Sequence, residues 1–225
     1  MQKHTTNLMS LTIKKRICIN RFRKRRNDEK LIGLLMILCM VLLYSCSGPM
    51  DSPKHSNNSK PVVVIYGDYK CPYCKKTEDR VMPKLKKKYI DTNKIKYQYV
   101  NLAFLGKDSI VGSRAQHAVN HYAPKKSLEF QKLMFNQQKD EHKQWITTRL
   151  VDKQIDKLSI SDDKKKKIKT DYKTKGSISW KKAKEDQQIA KKNHIKQTPT
   201  AFVNDNKVED PYDFSSYEML LENEK

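Results

Sequence analysis

Hydrophobic and polar positions divide the chain into stretches of different period. Leu31 to Ser45, LIGLLMILCMVLLYS, runs for 15 residues without a charge. PVVVIYG, from Pro61 to Gly67, is a shorter β-branched run bounded by Pro and Gly, as expected of a strand buried on both faces. CKKTEDRVMPKLKKKYI then sets Val81, Leu85 and Tyr89 at helical spacing, with Pro83 placed to kink or divide the helix. In KIKYQYVNL, Ile95, Tyr97 and Tyr99 alternate with Lys94, Lys96 and Gln98, the period of a second strand. From about Ser109 to His194 the pattern is helical. Ile110, Arg114, His117 and His121 fall along one helix ended by Pro124, SLEFQKLMFNQQ is amphipathic, and WITTRLVDKQIDKL repeats apolar residues at helical intervals. Ser161-Asp162-Asp163 suits a helix start before KKKKIKTDY, and Trp180 to Ile195 forms the next helix. TPTAFVNDNKVED reads as a strand, a turn at Asn204-Asp205-Asn206 and a short strand at Lys207 and Val208. Ser215-Ser216-Tyr217-Glu218 matches a capping box that opens a terminal helix, its Tyr217, Leu220 and Leu221 side facing the core.

The order is therefore β-α-β, a block of helices, then β-β-α. Between the first strand and first helix lies YKCPYCK, with Cys71 and Cys74 three positions apart and Pro72 where proline suits a first helical turn. A CxxC beside a βαβ pattern, outside a zinc-type cysteine array, is the signature of a thioredoxin-like redox motif. The expected fold is α/β: a thioredoxin-like domain at 61–105 and 195–225, interrupted by an inserted all-helical domain at 106–194.

Charge changes the picture at the N-terminus. The chain of 225 residues carries 47 Lys and Arg against 25 Asp and Glu, a net +22, with 37% hydrophobic residues. Ten of the basic residues and two of the acids precede position 46, leaving 37 against 23, a net +14, in the remainder. A positive flank before an apolar run too short for the ~20 residues of a membrane span reads as an export signal at 1–45. Leu43-Tyr44-Ser45-Cys46 resembles the lipobox of bacterial lipoproteins, whose cysteine is lipidated and becomes the first mature residue. The alternative is an uncleaved anchor with Cys46 a bystander. Lipidation fits the cysteine arithmetic: cleavage removes Cys18 and Cys39 and blocks Cys46, so Cys71 and Cys74 are left as the free thiols outside the cell. Residues 46–60, polar and without periodicity, read as a flexible tether.

Two cysteines at this spacing admit a structural staple, half of a metal site, or a reactive pair. A metal site needs two more ligands, and the i, i+4 pair His117 and His121 is more often ordinary helix surface, so no metal is expected. A reactive pair needs a stabilised thiolate. Cys71 at a helix N-terminus meets unpaired backbone N–H groups and the positive end of the dipole, which should dominate, with Lys70, Lys75 and Lys76 adding charge that solvent screens. Cys74, one turn inward and more covered, is the resolving partner. Redox equivalents then reside in the cysteines and no cofactor is implied. The lysine runs KLKKK and DDKKKKIK read as solvated helix faces, and Trp145 and Trp180 suit helix packing, so nucleic acid is not an expected partner while an anionic membrane surface is.

GDYKCPYC, VNLAFLGKDSIVGSRA, TPTAFVN and KVEDPYD together resemble the DsbA family of extracytoplasmic thiol-disulfide oxidoreductases, in particular the lipoprotein type of Gram-positive bacteria such as staphylococci. The resemblance covers essentially everything from Val62 onward. It implies an enzyme that donates its Cys71–Cys74 disulfide to reduced exported proteins, with Pro72 and Tyr73 completing the active-site motif. It further implies that Thr198-Pro199 is a cis-proline site beside the cysteines, offering backbone edge contacts to an extended substrate. A monomer anchored at the outer face of the cell membrane is expected. One position departs from the family: the buried acid commonly found six residues before the first cysteine is Ile65 here. Two other functions stay open, a non-enzymatic basic surface lipoprotein with a structural CxxC, and a reductase or isomerase using the same site.

Overall fold

A computed structural model describes residues 59–223. The export signal, Cys46 and most of the tether lie outside the described residues. Val62–Gly67 forms β1 and Lys96–Asn101 forms β2, paired in parallel with Val63 beside Tyr97 and Ile65 beside Tyr99. Thr200–Val203 (β3) runs antiparallel to β1, and Asn206–Lys207 (β4) antiparallel to β3, giving the order β2-β1-β3-β4. β1 is thus a central strand, which is why its sequence is a continuous apolar run.

Helix α1, Pro72–Arg80, leads into α2, Met82–Leu85, and a π-helical turn, Lys86–Ile90. The division falls where Pro83 sits in the first turn of the second segment, a position at which its missing N–H costs nothing. Val81, Leu85 and Tyr89 are all buried, against Val63, Ile65, Ala201 and Val203 of the sheet. Phe214–Glu222, the terminal helix, contributes Tyr217 and Leu221 to the same layer. Its cap differs from expectation: the chain turns helical two residues earlier, at Phe214, and the carboxylate of Asp213 accepts the Ser215 N–H at 3.2 Å. Ser215 is inside the helix, and Glu218, the would-be capping acid, pairs with Lys88 instead.

The insertion comprises α3 (Ser109–Tyr122), α4 (Ser127–Phe135), α5 (Thr148–Asp156), α6 (Asp162–Lys173) and α7 (Ile178–Lys192), making the terminal helix α8. Together the sheet core and these helices make a thioredoxin-like α/β fold with a helical insertion. Ser161 caps α6 as its sequence suggests. The buried face of α3 is made of small residues, Ser109, Gly112, Ser113, Ala115 and Ala118, with Gln116 and Val119. Ile110, Arg114, His117 and His121, the residues that mark the helix in the sequence, lie on its less buried side. His117 Nε2 is 2.8 Å from Asp186, Arg114 stacks over the Trp180 ring and His121 meets Tyr122. Close packing at the small face is enforced at Gly112, where an added Cβ would come within 2.8 Å of the Tyr69 ring. Among the described residues no helix is long and apolar enough to cross a membrane.

Candidate active site

β1 delivers the chain at Gly67 to a four-residue approach, Asp68 to Cys71, whose every member is tied to the insertion or to the segment leading into it. The buried Asp68 carboxylate accepts from the N–H groups of Lys70 (2.9 Å), Phe104 (2.9 Å) and Leu105 (3.1 Å) and from Ser109 Oγ (2.9 Å). An anion taken out of water needs this many donors to offset its lost hydration. Tyr69 is fully buried, and its hydroxyl donates to Gln116 of α3. The buried Lys70 ammonium is 2.9 Å from Asp108, whose second oxygen accepts from the N–H groups of Trp145 and Ile146, each at 2.9 Å. Gln138 Nε2 donates to the carbonyls of both Tyr69 and Cys71 at 2.9 Å.

That bracing fixes where α1 begins. Cys71 is its N-cap: the backbone is extended, Cys71 N–H donates to the Asp68 carbonyl at 3.0 Å, and Cys71 Sγ accepts the Cys74 N–H at 3.3 Å. The sulfur therefore occupies the position in which a serine or aspartate side chain usually caps a helix. From the other side comes the loop before β3, where the Thr198-Pro199 peptide bond is cis and the Thr198 carbonyl lies 3.5 Å from Cys71 Sγ. Both cysteines are free thiols.

The two sulfurs are held in opposite electrostatic states. The Cys74 thiol hydrogen bond leads in lowering the Cys71 pKa to about 6, assisted by the Thr198 side chain and by the backbone N–H groups of Cys74 and Tyr73, against burial. Burial leads in pushing the Cys74 thiol well up, followed by its hydrogen bond to Cys71 and the charge there. Residue exposure does not separate them, at 3% each. Burial governs Cys74 while hydrogen bonds override it at Cys71. Pro72 and Tyr73 are exposed, Tyr73 at 60%, and form the rim.

The sequence-derived expectation about charge is corrected in part. Lys70 is committed to Asp108, Lys75 pairs with Asp79 at 2.7 Å, and Lys76 lies over the Tyr212 ring. Hydrogen bonds to the sulfur lead over the lysines, with the Cys74 thiol ahead of the backbone N–H groups of the helix start, the main influence expected from the sequence. The structure brings Cys71 beside Cys74 and beside the Thr198-Pro199 loop. His117 is committed to Asp186, and among the described residues no group of three or more His, Cys, Asp or Glu is arranged to hold a metal ion. Sequence reading did not find the roles of Asp68 and Gln138. Asp68 had a local signal, an acid two residues before a turn N–H, whereas Gln138 closes the stretch SLEFQKLMFNQQ read as a helix, and the helix stops at Phe135, which frees Gln138 to reach the approach to the cysteines.

The family model described as Thioredoxin matches residues 56–223. Disulfide bond formation protein D of Bacillus subtilis strain 168 is 29% identical over 173 residues, covering 76% of this chain and 76% of its own length. Probable disulfide bond formation protein D of Bacillus cereus is 31% identical over 166 residues, covering 72% and 73%. Among solved structures, oxidised BdbD from Bacillus subtilis matches with a TM-score of 0.66 at 28% identity, over 75% of this chain and 89% of that one. Chlamydia trachomatis DsbA matches at a TM-score of 0.60 and 18% identity, over 75% and 88%, a likeness of fold.

Proposed function

Since the chain belongs to the thioredoxin superfamily, among the thiol-disulfide oxidoreductases related to disulfide bond formation protein D, we propose that its Cys71–Cys74 pair works in the oxidising direction on exported proteins. The observation that carries this reading is the opposed state of the two sulfurs: an anion-favouring Cys71 capping α1, and a buried Cys74 that resists ionisation.

In the oxidised protein a substrate thiolate attacks Cys71 Sγ. The new intermolecular S–S bond forms as the Cys71–Cys74 bond breaks, and the electron pair leaves on Cys74 Sγ, which takes up a proton. A second substrate thiolate then attacks the substrate sulfur of the mixed disulfide, forming the substrate's own disulfide and releasing Cys71 as thiolate. The substrate has lost two electrons and the cysteine pair has gained them. Release is easier the lower the pKa of the departing thiol. Stabilising the Cys71 thiolate stabilises the reduced protein, which makes the disulfide form the stronger oxidant.

Thr198 and Pro199 stand beside the sulfur and offer an extended substrate a backbone edge to pair with, between themselves and the rim at Pro72 and Tyr73. The redox domain is taken as 61–105 and 195–225 and the helical domain as 106–194. A lipid at Cys46 holds this monomer at the extracytoplasmic face of the membrane, where the net +14 favours anionic lipid heads.

The test is refolding of a reduced, disulfide-requiring protein in the presence of the oxidised enzyme. Wild type should accelerate it and Cys71→Ser should not. Activity that survives the substitution would sink the reading.

A further inference from the structure

Three donors converge on the carbonyl of Cys71. The N–H groups of Cys74 and Lys75 reach it at 3.1 and 3.2 Å, and Gln138 Nε2 reaches it at 2.9 Å. The Cys74 N–H does not belong to that oxygen alone. It also lies 3.3 Å from Cys71 Sγ, so one backbone donor is divided between the carbonyl and the sulfur of the same residue. Sharing of this kind is common at helix ends. Here it sets up a competition, because whatever the carbonyl draws from the Cys74 N–H is withheld from the sulfur. That N–H is among the groups that lower the Cys71 pKa.

Gln138 enters from the insertion. Helix α4 stops at Phe135, and the turn after it is closed by the Gln138 N–H donating to the Phe135 carbonyl at 3.1 Å. Phe135 is buried in the cluster that holds both cysteines, and its ring meets that of Tyr69 edge-on with centroids 5.0 Å apart. The packed core therefore sets where the half-buried Gln138 can reach. Its Nε2 spans the Tyr69 and Cys71 carbonyls, and its bond to the Cys71 oxygen is shorter than either backbone bond there. A carbonyl oxygen has two lone pairs, so three donors exceed its capacity. With Gln138 on one and the Lys75 N–H, the regular first bond of the helix, on the other, the Cys74 N–H is left for the sulfur.

We propose that Gln138 is a positioning residue for exchange at Cys71: by giving the Cys71 carbonyl a donor from the insertion, it releases the Cys74 N–H to the Cys71 sulfur. The inference rests on the exchange chemistry proposed above, in which Cys71 is released as a thiolate. A hydrogen bond to a charged acceptor is stronger than one to a neutral carbonyl, so the freed N–H favours the thiolate form in particular. The insertion thereby adjusts the balance between dithiol and disulfide without touching either sulfur.

The experiment compares wild type, Gln138→Met and Gln138→Lys as full-length reduced protein. Met keeps the length of the side chain and has no donor, whereas Lys keeps donors. The first readout is the pH midpoint of iodoacetamide alkylation at Cys71, followed by peptide mass; the second is the glutathione equilibrium at about pH 8. One hydrogen bond of ordinary net strength corresponds to about five-fold in an equilibrium constant. In Gln138→Met, ionisation of Cys71 should be about five-fold less favourable, and the glutathione equilibrium should move by about the same factor toward the disulfide. Gln138→Lys should ionise at least as readily as wild type. An unchanged midpoint in Gln138→Met, even with a lower urea midpoint, would make Gln138 a brace for the fold alone and overturn the proposal. An equal loss in Gln138→Lys would overturn it as well, because donors would then not be what matters. Should Gln138→Met not fold, Gln138→Ser, too short to reach either carbonyl, takes its place with the same two outcomes. Failure of the underlying reading is distinguishable: wild type would then not promote substrate oxidation, whatever the variants do to Cys71.

Discussion

A sulfur that caps a helix and accepts from the Cys74 thiol, the Cys74 N–H and the Thr198 side chain carries its charge on a few identifiable hydrogen bonds. The side-chain partners can be removed singly. At about pH 5 the thiolate fraction resides on Cys71 rather than Cys74, and thiolate is the species that alkylates. In the reduced protein Cys71 should react with iodoacetamide first, read by peptide mass, and equal labelling of the two would contradict the assignment. Thr198→Val removes a hydroxyl that helps to lower the Cys71 pKa while keeping the β-branched shape. The variant should show a Cys71 pKa above about 6 and a weaker oxidant in glutathione equilibrium; an unchanged potential would take that role from the hydroxyl.

At the scale of elements, the approach to the cysteines is steady because the insertion holds it. Tyr69 reaches Gln116, Lys70 reaches Asp108, and Gly112 lets α3 close on the Tyr69 ring. Gly112→Ala should cost about 1–3 kcal/mol, since the new Cβ forces ring or helix to move in a packed core. Urea denaturation measures it, and a midpoint equal to wild type would show that the contact has slack. These ties also explain what the sequence could and could not disclose. Strand β1, the break at Pro83 and the Ser161 cap each follow from local chemistry and are found in place. So does the pairing of Cys71 with an α-helix start. The Asp213 cap was hidden because Ser215 and Glu218 offer an equally good local pattern, and only the contact of Glu218 with Lys88 decides between them. Lys70 reads as solvent charge next to a cysteine, and its burial against Asp108 depends on a residue 38 positions away. Tyr99 reads as one more alternating strand residue, and its packing on Tyr69 and Phe135 appears only in the assembled fold.

For the molecule as a whole, the same pKa that sets reactivity couples stability to pH. The folded Cys71 thiol titrates at about 6 against ~8.5 for a free thiol. Between those values the unfolded chain holds more protons, so this contribution to the reduced protein rises with pH and is lost as pH falls through about 6. Cys74 is shifted upward, so its effect falls above ~8.5, outside this window. Glu78, raised to about 7, has the opposite slope, lost as pH rises from ~4.3 through 7, and a Glu78→Gln background takes it out of the comparison. The stability of reduced over oxidised protein should therefore grow between about pH 6 and 8, measured by paired urea denaturations. A constant difference would remove the thiolate from the account. Net charge makes a separate claim: the chain from residue 46 onward should bind anionic vesicles and release them as salt rises.

Equilibrium with glutathione buffers tests the central claim most directly, because it weighs the Cys71–Cys74 disulfide against its two thiols with no substrate involved. A pair whose Cys71 thiolate is stabilised at a helix start should be reduced readily, with a potential above the roughly −270 mV of thioredoxin and toward the roughly −120 mV of DsbA. A potential below about −300 mV, the range of structural disulfides, would contradict it.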